Sequence, residues 1–92
     1  MASIIHNPAE QRFETDPGGG GALALIEYRQ TPTALILVHT EVPEQFEGQG
    51  IGGALVKAAF DYARQQNLKV IPQCPFAAVW AKRHPEYTDL LA

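Results

Sequence analysis

The chain has 92 residues, ten acidic and seven basic, for a net charge of −3; it is too short for two domains and has no basic stripe for nucleic acid. A hydrophobic share of 46% against 18% charged residues describes an ordinary globular protein rather than a disordered one. The single cysteine, Cys74, leaves no internal disulfide, and no apolar run approaches the ~20 residues of a membrane span. Met1 to Asp16 also lacks the continuous apolar stretch of a signal peptide. One domain over residues 1–92 is expected, cytoplasmic, with no membrane or nucleic-acid partner, as a monomer or weak homodimer.

In chain order, Ser3 to His6 and Arg12 to Thr15 read as short strands separated by Asn7-Pro8. Pro17-Gly18-Gly19-Gly20-Gly21 holds more glycine than a tight hairpin needs and reads as a mobile loop. Ala22 to Tyr28 predicts a third strand, Arg29-Gln30-Thr31-Pro32 a turn, and Thr33 to Val42 a longer strand. There, Ala34, Ile36, Val38, Thr40 and Val42 alternate with Leu35, Leu37, His39 and Glu41. Both faces are apolar until His39, which predicts a central strand covered on both sides.

Ile51 to Gln66 is the clearest helix. Ile51, Ala54, Leu55, Ala58, Ala59, Tyr62 and Ala63 repeat at buried-face spacing, with Asn67 as the stop. Leu68 to Ile71 is a strand that the right-handed crossover rule sets parallel to Thr33–Val42. Pro72 cannot donate to a ladder, so pairing should fail there. Pro75 suits the first turn of a second helix, with Phe76, Val79 and Trp80 inward and Pro85 ending it. Phe13 and Tyr28 read as core, Tyr87 as a surface residue.

The segment with the most chemistry is Glu47-Gly48-Gln49-Gly50-Ile51-Gly52-Gly53, between the long strand and the first helix. Such a turn aims backbone N–H groups into a hollow at a helix N-terminus, where the dipole adds to the attraction for phosphate. A Cβ there would hold the phosphate off the backbone. The spacing does not suit a dinucleotide fold, and no Gly-Lys-Ser/Thr is present for a Walker loop.

This turn resembles the acetyl-CoA loop of the GNAT N-acyltransferases, Arg/Gln-x-x-Gly-x-Gly/Ala. His39-Thr40-Glu41-Val42-Pro43, Gly48-Gln49-Gly50-Ile51, Pro72-Gln73-Cys74-Pro75 and Lys82-Arg83-His84-Pro85-Glu86-Tyr87 further resemble the small stand-alone GNAT-like (YjdJ-type) subfamily. The resemblance implies a truncated GNAT-like α+β fold. An antiparallel β-meander would feed a βαβ crossover and a C-terminal helix, giving a mixed sheet with helices on its faces. The first two helices of a full-length enzyme have no counterpart. It also implies acetyl-CoA, with its pyrophosphate on the glycine turn and its pantetheine arm between two splayed strands. Thr40, Glu41, Val42, Gly48, Gln49, Gly50, Ile51, Gly52 and Gly53 are the expected cofactor contacts. Two positions depart from the family: Glu47 stands where Arg or Gln is usual, and Trp80 roughly where many members carry a catalytic Tyr.

Cys74, at the mouth of the second helix, is a candidate nucleophile, because a helix dipole favours its thiolate. Packing as a small buried hydrophobe is its alternative fate. His39, near the end of the adjacent strand, is placed to face Cys74 across the splay. Glu41 is a candidate general base for an amine, and with Glu44 and Glu47 it forms an acidic rim suited to a cationic acceptor. Trp80 reads as core. One Cys and three scattered His offer no metal-ligand spacing, so no metal is expected.

Overall fold

Five short segments extend: β1 (Ile5–Asn7), β2 (Arg12–Thr15), β3 (Ala24–Gln30), β4 (Ala34–Glu41) and β5 (Lys69–Pro72). The computed structural model describes residues 3–92 and joins them into one sheet in the order β1-β2-β3-β4-β5. The first four pair antiparallel, and β5 returns parallel to β4 through α1 (Ile51–Gln65), followed by α2 (Pro75–Lys82). The α+β class and mixed sheet are those the sequence predicts. The third strand runs past Tyr28 to Gln30 because Thr31, not Arg29, makes the turn: its N–H and hydroxyl both donate to the Ala34 carbonyl.

α1 ends as its sequence dictates. Asn67 takes the left-handed conformation (φ 58°), its N–H bonding the Arg64 carbonyl at 3.3 Å and the Leu68 N–H bonding the Ala63 carbonyl at 2.9 Å. That pair of bonds closes a Schellman cap, which satisfies carbonyls the helix would otherwise leave open. α1 and α2 both bury into one apolar cluster, where Phe13, Ile26, Leu35, Leu37 and Val70 from the sheet meet Leu55, Phe60 and Trp80.

Among the described residues no helix covers the opposite sheet face, and here the expected two-sided burial of β4 is overturned. Val38 and Ile71 are more than a third exposed, and Ile5 is 61% exposed. The alternation of β4 also changes part-way. Glu27 pairs with His39 but Tyr28 pairs with Leu37, so Val38 is an extra residue, a β-bulge. Past it the faces exchange: Thr40 pairs with fully buried Ile26 and faces the helices, while His39 and Glu41 turn to the open face.

Two further expectations fail for packing reasons. Phe76 and Val79 on α2 are each 48% exposed, whereas Ala77, Trp80 and Ala81 are buried. Small Ala77 and Ala81 let the helix approach the core closely. Tyr87 is buried, because a 3₁₀ turn over Pro85–Leu90 folds it onto Phe60 and Trp80. There its hydroxyl donates to Asp61 Oδ1 at 2.6 Å, and that hydrogen bond raises the phenol above its ordinary pKa.

Candidate active site

The strand that carries the bulge also begins the site. Pairing between β4 and β5 ends at Leu37↔Pro72, and one further bond, from the Cys74 N–H to the Leu37 carbonyl at 2.9 Å, ties the strand end down. Beyond that point β4 pairs only with β3, so the two parallel strands part after Leu37. Pro72, which lacks an N–H, stands where the ladder stops.

Below the parting lies a hollow of about 420 Å³. Thr40 and Val42 from β4 line it, with Gly48, Gly50, Ile51, Gly52 and Gly53 from the turn. Gly50 is the N-cap of α1 at φ 79°, a conformation that L side chains resist, and nothing lies within 4 Å of where a Cβ would stand. The first intrahelical bond runs from the Ala54 N–H to the Gly50 carbonyl at 3.0 Å. The N–H groups of Ile51, Gly52 and Gly53 therefore have no partner within the helix and sit in the hollow's wall. A space that a Cβ would narrow, beside free amides and the dipole, fits a phosphate. Among the described residues no Lys or Arg lines it, and Glu47 is its one charged wall residue.

Phe46 and Phe76 also line the hollow, and the sequence did not single them out as site residues. Phe46 was legible in principle as the lone aromatic in an otherwise polar loop. Phe76 covers the turn: a Cβ on Gly52 would come within 2.8 Å of its ring. Gly18 of the upstream glycine loop lies against Phe46, and that loop is tied by the Gly21 N–H to Asp16 Oδ2 at 2.9 Å. Of the expected cofactor contacts, Glu41 and Gln49 are outside the hollow's wall. Glu41 faces the open side of the sheet.

Cys74 is the N-cap of α2 and only 6% exposed. Its Sγ lies 3.3 Å from Thr40 Oγ1. Burial pushes the thiol up, but the Thr40 hydroxyl and the backbone amides of Ala77 and Phe76 pull harder the other way, and the balance falls below the ordinary thiol value. The partner of Cys74 is thus Thr40 and not His39. The bulge sends His39 through to the other face, where its Nε2 lies 3.7 Å from Glu41 Oε2. Trp80 is buried and stacks on the His84 ring at 3.9 Å, as a core residue does. Among the described residues, no group of three or more His, Cys, Asp or Glu gathers as a metal site.

A family model for the GCN5-related N-acetyl-transferase matches residues 12–90. The chain belongs to the GCN5-related N-acetyltransferase family. Curated relatives include protein NATD1 of Xenopus tropicalis, 39% identical over 83 residues, which cover 89% of this chain and 76% of that one. Protein NATD1 of Danio rerio is 30% identical over 89 residues, covering 94% and 81% of the two chains. Among solved structures, a GCN5-like protein from Staphylococcus aureus superposes with a TM-score of 0.76 at 32% identity, covering 99% of this chain and 88% of that one. Within the N-acetyltransferase fold, the glycine turn, the parting of β4 from β5 and Cys74 all fall on the helix-covered side. No described helix is long and apolar enough to cross a membrane.

Proposed function

We propose that the protein binds acetyl-CoA in the 420 Å³ hollow and transfers its acetyl group to an amine by way of Cys74. The observation that carries this reading is the hollow's continuity. One end is formed by three free backbone N–H groups at the start of α1; the other is Thr40, whose hydroxyl touches the thiol.

Acetyl-CoA is the substrate that supplies an activated acetyl group as a thioester. The amides of Ile51, Gly52 and Gly53 are suited to its pyrophosphate, while Val42, Phe46 and Phe76 pack the apolar length of its arm. Glu47 repels the same phosphates, so backbone amides must supply the whole attraction. The β4 backbone past Leu37 has no β5 partner and offers hydrogen bonds to the arm and the acyl carbonyl. Thr40 and the α2 N-terminus hold Cys74 toward thiolate. Its sulfur bonds to the acyl carbon, the C–S bond to CoA breaks, and CoA leaves as a thiolate that takes a proton from solvent. The amine nitrogen then bonds to the acyl carbon, the C–Sγ bond breaks, and the Cys74 thiolate leaves and takes up the amine's proton. His39 and Glu41 stand on the other side of β4 from the thiol.

A second reading, an acyl-CoA binding module without turnover, is favoured by the bare sheet face, which lacks a helical wall on the acceptor side. One experiment separates the two: incubation with acetyl-CoA, followed by intact mass and free CoA, on the parent and on Cys74→Ser. The parent should gain an acetyl group and release CoA, and Cys74→Ser should do neither. CoA at ~100 times its Kd should stabilise both by roughly 2.7 kcal/mol, several degrees in Tm for a domain this small. No Tm shift at millimolar CoA overturns the donor site. A shift without mass gain or CoA release leaves the binding module. Full transfer by Cys74→Ser with Glu41→Gln inactive assigns direct attack by the amine.

A further inference from the structure

The exposed side of α2 begins apolar and ends basic. Phe76 and Val79 are each 48% exposed, and Lys82 and Arg83 at the far end are exposed as well. Phe76, Val79 and Arg83 follow one another at helical three- and four-residue spacing, so they form a single stripe along the axis. Among the described residues Arg12, Lys57 and Arg64 are each taken up by a carboxylate, while neither Lys82 nor Arg83 joins an ion pair. The donor site makes no use of Val79 or of either cation.

An acidic rim lies at the other end of this stripe. Phe76 and Glu47 both belong to the wall of the hollow that holds the glycine turn, and exposed Glu44 precedes Glu47 in the same loop. The stripe thus runs from negative to positive charge over roughly 10 Å, at about 1.5 Å per residue. Such a stripe complements a second copy of itself. A two-fold axis crossing the helix near Val79 lays two copies of α2 antiparallel, with Val79 against the partner's Val79. Phe76 then meets the partner's Arg83, a guanidinium on an aromatic face, and the partner's Lys82 lies alongside. Both cations arrive beside Glu47, at a hollow that no described Lys or Arg of its own chain lines.

We propose that the protein pairs with a second copy of itself through α2, and that the partner's Lys82 and Arg83 complete the anion site of each hollow. The identity of the anion as CoA rests on the reading above; the pairing does not. Two half-exposed apolar side chains bury far less than the ~800 Å² per partner of a standard interface, so the pair is weak alone. The partner's Arg83 offsets Glu47 and takes phosphate oxygens through its two-pronged guanidinium. A phosphate held by one protomer's amides and the other's cations binds the pair better than the monomer. By linkage it must then tighten the pair by the same factor.

Sedimentation equilibrium of the whole chain tests this, alone, with CoA and with inorganic pyrophosphate, alongside calorimetric titration of CoA. The parent should self-associate weakly, and CoA should tighten the dimer at least about tenfold, the effect expected of one charged hydrogen-bonded contact. Val79→Lys sets an ammonium against its own copy and against the partner's Arg83. It should keep the parent's Tm in dilute solution, stay monomeric, and bind CoA about tenfold more weakly despite the added positive charge. Lys82→Ala combined with Arg83→Ala should abolish the tightening by CoA and weaken CoA by a similar factor. A parent that stays monomeric with saturating CoA, or a dimer that Val79→Lys leaves intact, overturns the proposal. CoA bound by that monomer leaves the donor site standing and removes the shared site. A dimer that pyrophosphate tightens but CoA does not upholds the pairing and removes the CoA reading.

Discussion

The two faces of β4 differ in what a residue there is for. On the helix-covered face Leu35 and Leu37 are fully buried, and the side chain that follows on that face, Thr40, reaches a thiol. On the open face Ile36 is half-buried, Val38 is 38% exposed, and His39 and Glu41 stand in solvent. One strand thus carries stability and the hydroxyl that meets the thiol on one side, and solvated acid–base groups on the other. Only a single-residue bulge decides which side each functional group takes.

Neighbouring residues give the largest test of that contrast. Leu37→Ala leaves a cavity among fully buried neighbours and should cost ~2–5 kcal/mol, read by denaturant unfolding. Val38→Ala, one residue on, should cost under about 1 kcal/mol. Equal costs would mean that the open face is covered in solution.

A smaller effect separates the two candidate partners of the thiol. Thr40→Val removes the hydroxyl that favours the Cys74 thiolate, so alkylation of Cys74 near neutral pH should slow several-fold. His39→Ala should leave that rate unchanged. The reverse pattern would reinstate a Cys74–His39 pair and displace the bulge from its place in the mechanism.

The smallest effect belongs to a histidine on the covered face. His6 lies on the covered face, stacked on Phe13 at 4.3 Å and paired with the Tyr28 hydroxyl, and burial lowers its pKa. The unfolded chain, with His near 6.5, therefore binds the proton first. The stabilisation is fully present above about pH 6.5 and is lost as pH falls through the lower folded value. His6→Gln should flatten the change of stability between about pH 7 and pH 5. A parent whose stability rises on acidification over that window would contradict the burial of His6.

Much of this was legible in the residues. The helix 51–65, its stop at Asn67 and the glycine turn follow from periodicity and backbone chemistry, and Pro72 marks the end of the ladder. The bulge was not legible. An inserted residue inside an apolar strand leaves the printed alternation intact and only swaps its meaning, so His39 read as a partner of Cys74 and Thr40 did not. Phe76 was misplaced because α2 is eight residues long and apolar at nearly every position, so its sequence singles out no inner side.

The outer edge of β5 has its own consequence. Leu91 forms a parallel bridge with Val70, and the Ala92 N–H bonds the Val70 carbonyl at 3.1 Å, while Lys69 Nζ donates to the Asp89 carbonyl at 2.7 Å. An exposed strand edge is a template for adding a foreign strand, and a parallel edge beside an uncovered apolar face would recruit one readily. Leu91 and Ala92 act as a selvedge here, occupying the Val70 stretch of the border so that it is not free to take on a foreign strand.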